Sequence, residues 1–189
     1  MKYAHKIDFP NSAKEKIFVG AKMATYSDVF DFHKAMNRNE ILSYLPEDLK
    51  NKSFGVHIAN MNFDRGINEL WAHKHLRDKC VLNIYFQTND EETIFYEGDE
   101  VELLPKEGEP DFDTRSGSTK FSKKLSMDTL SRVESFIAKE NECWLLKTTQ
   151  PHSVLSHRNG GNRIVLQVYF HETEYEEVGE ILEKHHVSN

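Results

Sequence analysis

The chain has 189 residues, with 24 lysines and arginines against 31 aspartates and glutamates, a net charge of −7; this length suits one core that buries about 70% of the unfolded surface, so residues 1–189 are expected to form a single domain. The acidic balance, with no basic run longer than Lys123-Lys124, makes nucleic acid an unexpected partner. No apolar stretch approaches the roughly 20 residues of a membrane helix, Met1-Lys2-Tyr3-Ala4-His5-Lys6 leads into nothing like a signal peptide, and Cys80 and Cys143 each open an apolar run as buried thiols do, so a cytoplasmic protein away from membranes is expected.

The predicted elements begin with a short extended run at Lys16-Ile17-Phe18-Val19. Ser27 is placed to cap a helix whose Val29, Phe30, Phe32 and Met36 recur at roughly helical spacing, and a second short helix is expected through Ile41, Leu42 and Leu45 before Pro46. This flank, 1–53, should pack outside a sheet. From Phe54 the pattern turns β-rich, in blocks at 54–61, 71–76, 80–87, 93–96, 101–104, 133–138, 143–148 and 163–170. Asp64-Arg65-Gly66, Asn89-Asp90, Lys139-Glu140-Asn141-Glu142 and Asn159-Gly160-Gly161-Asn162 supply turns between several of them. About eight short strands suit a mainly β jelly roll, the double-sheet barrel in which strands distant in sequence share a pocket, with 54–170 as its core. The polar stretch 105–120 is expected to be a loop at the barrel mouth. In the tail, 171–189, the stripe Tyr175, Val178, Ile181 and Leu182 predicts a terminal amphipathic helix over 174–186.

His73 and His75, two apart on an extended segment, project to one face, and barrel closure can bring them a third histidine from Pro151-His152-Ser153-Val154. Neutral imidazole is a good ligand for iron, zinc and copper, so His73, His75 and His152 form the candidate metal set. His152 is read as the end of the hydrophobic strand that opens at Cys143. Asn83 and Tyr85 share the histidine parity and are expected to face the same pocket. The opposite parity, Leu82, Ile84 and Phe86, leaves open that the histidine face is the solvent side of a two-layer sheet. Arg163 opens a strand whose other parity is Ile164, Leu166, Val168 and Phe170; it either points inward to pair with a carboxylate or sits in solvent at the rim. His57 and His171 read as structural, His185-His186 as a frayed tail, and His157 as a spare ligand.

At these residues, from about 54 to 170, the chain resembles the 2-oxoglutarate and iron(II)-dependent oxygenases, in particular short forms from phage and marine microbial genomes. The matching pieces are His73, the strand from Cys80 to Phe86 with the one that follows it, the run from Ala138 to Leu146, and Pro151-His152-Ser153-Val154 with Arg163. The resemblance implies a double-stranded β-helix in which His73 and His152 bind Fe(II), Arg163 holds the far carboxylate of 2-oxoglutarate, and Asn83 or Tyr85 assists. It implies hydroxylase-type chemistry on a small molecule or peptide. His75 stands where that family has an aspartate or glutamate. Three readings stay open: a three-histidine iron centre, as in cysteine dioxygenase and some cupins; a zinc or nickel site with another purpose; or an inactive barrel kept for ligand binding. Asp78 is the less favoured substitute for the missing carboxylate, because its strand parity opposes that of His75. Gly66 followed by His73 and His75 is similar to the opening of a cupin motif, but the glutamate expected four or five residues on is replaced by Lys79 or Cys80.

Overall fold

The structure is a computed structural model, and it describes residues 1–8, 30–34, 38–63, 69–103, 122–158 and 160–187. The expected run at 16–19, the Ser27 cap, the turn at Gly66 and the loop at 105–120 lie outside these residues.

Among the described residues, the strands are β1 (Ala4–Ile7), β2 (Phe30–Lys34), β3 (Ser53–Asn62), β4 (Glu69–His75), β5 (Cys80–Gln87), β6 (Glu91–Gly98), β7 (Ser122–Lys124), β8 (Leu130–Ile137), β9 (Cys143–Leu146), β10 (His152–Ser156) and β11 (Asn162–Phe170). The helices are α1 (Arg38–Ser43), α2 (Glu47–Lys50) and α3 (Tyr175–Val187). The strands form two antiparallel sheets, one ordered β1-β9-β5-β11-β3-β2 and the other β7-β4-β10-β6-β8. This is a jelly roll, as the strand pattern predicted, with a C-terminal helix.

The six-stranded sheet is sandwiched between the helices and the second sheet. On its outer side Val56, Leu82, Ile84, Leu145, Leu166, Val168 and Phe170 form one cluster with Ile41, Leu42 and Leu49 of α1 and α2 and Tyr175, Val178 and Leu182 of α3. Strands covered on both faces read as near-continuous apolar runs, and β5 and β11 do. On the inner side Val81, Tyr85, Trp144, Leu146, Val165 and Tyr169 meet Phe95 and Phe136 of the second sheet and Ala138 just after it. The site lies on this inter-sheet side. No helix among the described residues is long and apolar enough to cross a membrane.

Four differences from the sequence pattern have physical reasons. Residues 30–34 of the expected first helix form β2, paired with β3 from Phe30↔Met61 to Lys34↔His57; Phe30-Asp31-Phe32 also alternates with period two, and the ten-residue β3 offers a ladder edge to pair with. The 101–104 block contributes only a bridge at Glu102↔Leu125, Leu104 lying outside the described residues. Strands β1 and β7 were not expected, since three or four residues carry too little periodicity to detect. His152 does not end the strand from Cys143: β9 stops at Leu146, and His152 opens β10 in the opposite sheet.

A bulge in β4 sets the histidine face. His152 pairs with His73 but Val154 pairs with Leu70, so three residues of β4 span two of β10. Leu70 therefore packs inward with Val154 and Met61, and His73 is also inward, although strict alternation would separate them.

Candidate metal centre

His73, His75 and His152 each offer one ring nitrogen to a set lying within 4.8 Å of one another. The ring centroids are 4.3 Å apart for His73 and His152, 5.5 Å for His73 and His75, and 5.4 Å for His75 and His152. His73 and His152 are 8% and 6% exposed, so the histidine face is not the solvent side of its sheet.

Each ring is held from behind through Nδ1. His73 Nδ1 lies 2.9 Å from the Trp71 carbonyl and His152 Nδ1 lies 2.8 Å from the Gln150 carbonyl, so both must carry their proton on Nδ1. His75 Nδ1 lies 3.0 Å from Asp78 Oδ2. This arrangement leaves Nε2 as the ligand atom of all three rings. Burial, reinforced by neighbouring His75, pulls the His73 pKa down to about 4, and burial with the other two histidines holds His152 well below its ordinary value. Both are therefore neutral at physiological pH, the form that binds a metal. A compact, pre-oriented set of imidazoles fits a divalent transition metal.

Asp78 is absent from the ligand set. It sits behind His75 and also accepts from His171 Nε2, 2.5 Å from Oδ1. A carboxylate in this position orients the ring, a role that spacing from His75 alone does not reveal. The connection that carries it is fixed by His75 N–H donating to the Thr148 carbonyl at 2.9 Å and by the Thr148 hydroxyl donating to the Asp78 carbonyl at 2.8 Å. His157 is not in the set; it is half exposed and pairs with Glu92 at 3.1 Å. His57 lies edge-on to Tyr169, 5.5 Å between centroids.

Arg163 points into the barrel and is 4% exposed. Its Nη2 is 3.5 Å from the Tyr85 hydroxyl, and its Nη1 is 3.8 Å from Met61 Sδ. From Tyr85 a polar ladder runs along the inner face: Asn83 Nδ2 donates to the Tyr85 hydroxyl at 3.4 Å, Gln167 Nε2 to Asn83 Oδ1 at 3.1 Å, and the Tyr169 hydroxyl to Gln167 Oε1 at 2.8 Å. The ladder ends beside the metal set, with Tyr169 stacked 6.2 Å from His75. Asn83 and Tyr85 thus lie on the inner face, opposite the histidines and not beside them. Arg163 also has a partner that sequence reasoning passed over: Glu91, 1% exposed, with Oε1 3.1 Å from Arg163 Nε. Its signal was the parity it shares with Thr93 and Phe95.

No family model matches the chain, and no curated protein aligns with it. Solved structures do share its fold. HygX from Streptomyces hygroscopicus, with nickel, 2-oxoglutarate and hygromycin B bound, superposes with a TM-score of 0.51 at 12% identity, over 90% of this chain and 82% of that one. The same protein with nickel and 2-oxoglutarate gives 0.51 at 11% identity, with the same coverage. With iron bound it gives 0.50 at 12% identity, over 90% and 81%.

Proposed function

We propose that the chain is a non-haem oxygenase dependent on Fe(II) and 2-oxoglutarate, of hydroxylase type, with His73, His75 and His152 as its metal ligands. The observation that carries this reading is the convergence of three imidazoles, two buried and one partly exposed, whose Nδ1 atoms are all engaged, leaving three Nε2 atoms to bind. The shared fold with HygX, whose structures hold iron, nickel and 2-oxoglutarate, supports it. Bound iron would supply oxygen activation driven by oxidation of the 2-oxo acid. The chain supplies the rest. Asp78 and the Trp71 and Gln150 carbonyls hold the ligand rings, Arg163 fixes the far end of the 2-oxo acid with Tyr85 and Asn83 beside it, and Phe95 and Val165 exclude water. The substrate is a small molecule or a peptide. Replacing a carboxylate ligand with imidazole leaves the ligand set itself one unit more positive, with the Asp78 carboxylate held one step back behind His75.

One observation favours a second reading, a barrel that binds ligand without turnover: Arg163 already faces an internal carboxylate. Anaerobic Fe(II) titration followed by 2-oxoglutarate consumption in air separates the two, using the parent, His75→Ala and His75→Asp. Turnover in the parent that both substitutions diminish supports a three-histidine oxygenase. Turnover gained only in His75→Asp identifies a lapsed one, and unchanged metal affinity in His75→Ala removes His75 from the ligand set.

A further inference from the structure

Glu91 is built into the anchor end of the pocket. Its Oε2 accepts from the Asn89 backbone N–H at 2.6 Å. The Asn89 amide in turn donates to the Gly160 carbonyl at 2.6 Å and to the Ser156 hydroxyl at 3.2 Å. Gly161 closes this corner at φ +87, where a Cβ would meet Asn89 Oδ1 at 2.7 Å, so only glycine fits. Glu91 Oε1 and Arg163 Nε are in ion-pair range, but their approach is too oblique for a hydrogen bond, and neither atom has an aligned partner.

The anchor therefore has donors to offer but no net charge. A carboxylate arriving at Arg163 is attracted by the guanidinium and repelled by Glu91 at similar range, and in this dry interior the two effects are both large and opposed. A carboxamide oxygen takes the same Nη donors without the repulsion, and its N–H₂ provides the donor that Glu91 Oε1 lacks. The metal end shows the converse, since three neutral imidazoles leave a bound divalent ion more exposed to the carboxylate that every 2-oxo acid carries beside its oxo group. The pocket's attraction for anions is thus stronger at the metal end than at Arg163.

We propose that Glu91 is a specificity-determining residue for the distal end of the 2-oxo acid: by neutralising Arg163 it lets the pocket accept 2-oxo acids ending in a neutral hydrogen-bonding group, such as a carboxamide, on terms comparable to 2-oxoglutarate. This rests on the cosubstrate reading given above. The test is anaerobic titration of the Fe(II)-loaded protein with 2-oxoglutarate and with 2-oxoglutaramate, its distal amide, followed by the absorption of the metal chelate. In the parent the two dissociation constants should lie within about 10-fold of each other. Glu91→Gln should shift their ratio toward 2-oxoglutarate by about 10-fold or more, as expected when a charge-assisted hydrogen bond is no longer opposed. Glu91→Met, which removes charge and acceptor together, should shift it the same way and serves if the glutamine variant does not fold. A ratio that both variants leave unchanged overturns the assignment. If neither 2-oxo acid gives a chelate band, the cosubstrate reading fails instead. Glu91 is then judged on metal-free protein with glutarate and its monoamide, where a preference for glutarate gained in the variants supports the assignment and equal ratios overturn it.

Discussion

Leu82, Ile84, Leu166 and Val168, on the outer side of the six-stranded sheet, are 0% exposed beneath three helices, whereas Trp71, Val133 and Ile137 of the five-stranded sheet stand 47%, 46% and 48% exposed. The inner faces differ in the opposite sense. The five-stranded sheet carries all three histidines, and the six-stranded sheet answers with a hydrogen-bonded ladder and one arginine. Stability is concentrated in the sheet that is covered twice, and metal-binding capacity in the sheet that is covered less. A histidine cluster is a poor core, since burying imidazoles gains little apolar area and opposes their protonation, so it sits best where another layer supplies the packing.

Leu166→Ala is the largest test of this division. It should cost about 2–5 kcal/mol in denaturant unfolding, as buried leucine truncations do, while leaving metal affinity below the unfolding transition unchanged. A parallel loss of affinity would show that the two sheets do not act separately. The second test is pH. His73 has a folded pKa of about 4 against an ordinary value near 6.5, so the unfolded chain binds the proton more readily. The metal-free protein should keep its full stability above pH 6.5 and lose about 2 kcal/mol from His73 alone as pH falls to 4.5, with His152 adding in the same direction. Carboxylates held low, Glu92 and Glu142 among them, act below that window. Urea unfolding at pH 7 and pH 4.5 measures the loss, and equal midpoints would mean that the cluster is more hydrated than its burial indicates. The third and smallest test falls where the chain crosses between sheets. Asp78→Asn should weaken metal binding by about 10-fold or more, as losing a carboxylate behind a ligating histidine does, with little change in the affinity of Arg163 for its partners. Competition with a chromogenic chelator reads this directly.

The parts legible in the sequence were those whose pattern repeats. β5 and β11 announce themselves through long apolar runs, and α3 through a stripe that docks as drawn. β1, whose four residues are buried, half-buried, exposed and buried in turn, has no period to read. The histidine trio was visible because residues two apart share a face and His152 follows a turn-prone proline. Glu91 was not, because Glu91-Glu92 after Asn89-Asp90 looks like a solvated turn; only the opposite sheet reveals that Glu91 faces inward while Glu92 turns out to Arg132 and His157. Asp78 was weighed as a ligand on local parity, but its place behind His75 is fixed by Thr148, remote in sequence.

The bulge in β4 has a consequence for how this site can be lost. Three residues there span two of the neighbouring strand, so the inward direction of His73 and His75 together with Leu70 depends on the bulge. Trp71, 47% exposed, is free to vary in identity at modest cost, whereas Ala72 is fully buried with Ile94, Tyr96 and Leu125. The loss of one residue between Leu70 and His73 would leave these two residues two apart on a regular strand, so the bulge would go while both histidines and Leu70 stayed inward. Straightening the bulge at full length would instead keep Leu70 against Val154 and turn His73 and His75 outward, so a descendant of this chain could discard its metal and keep its fold.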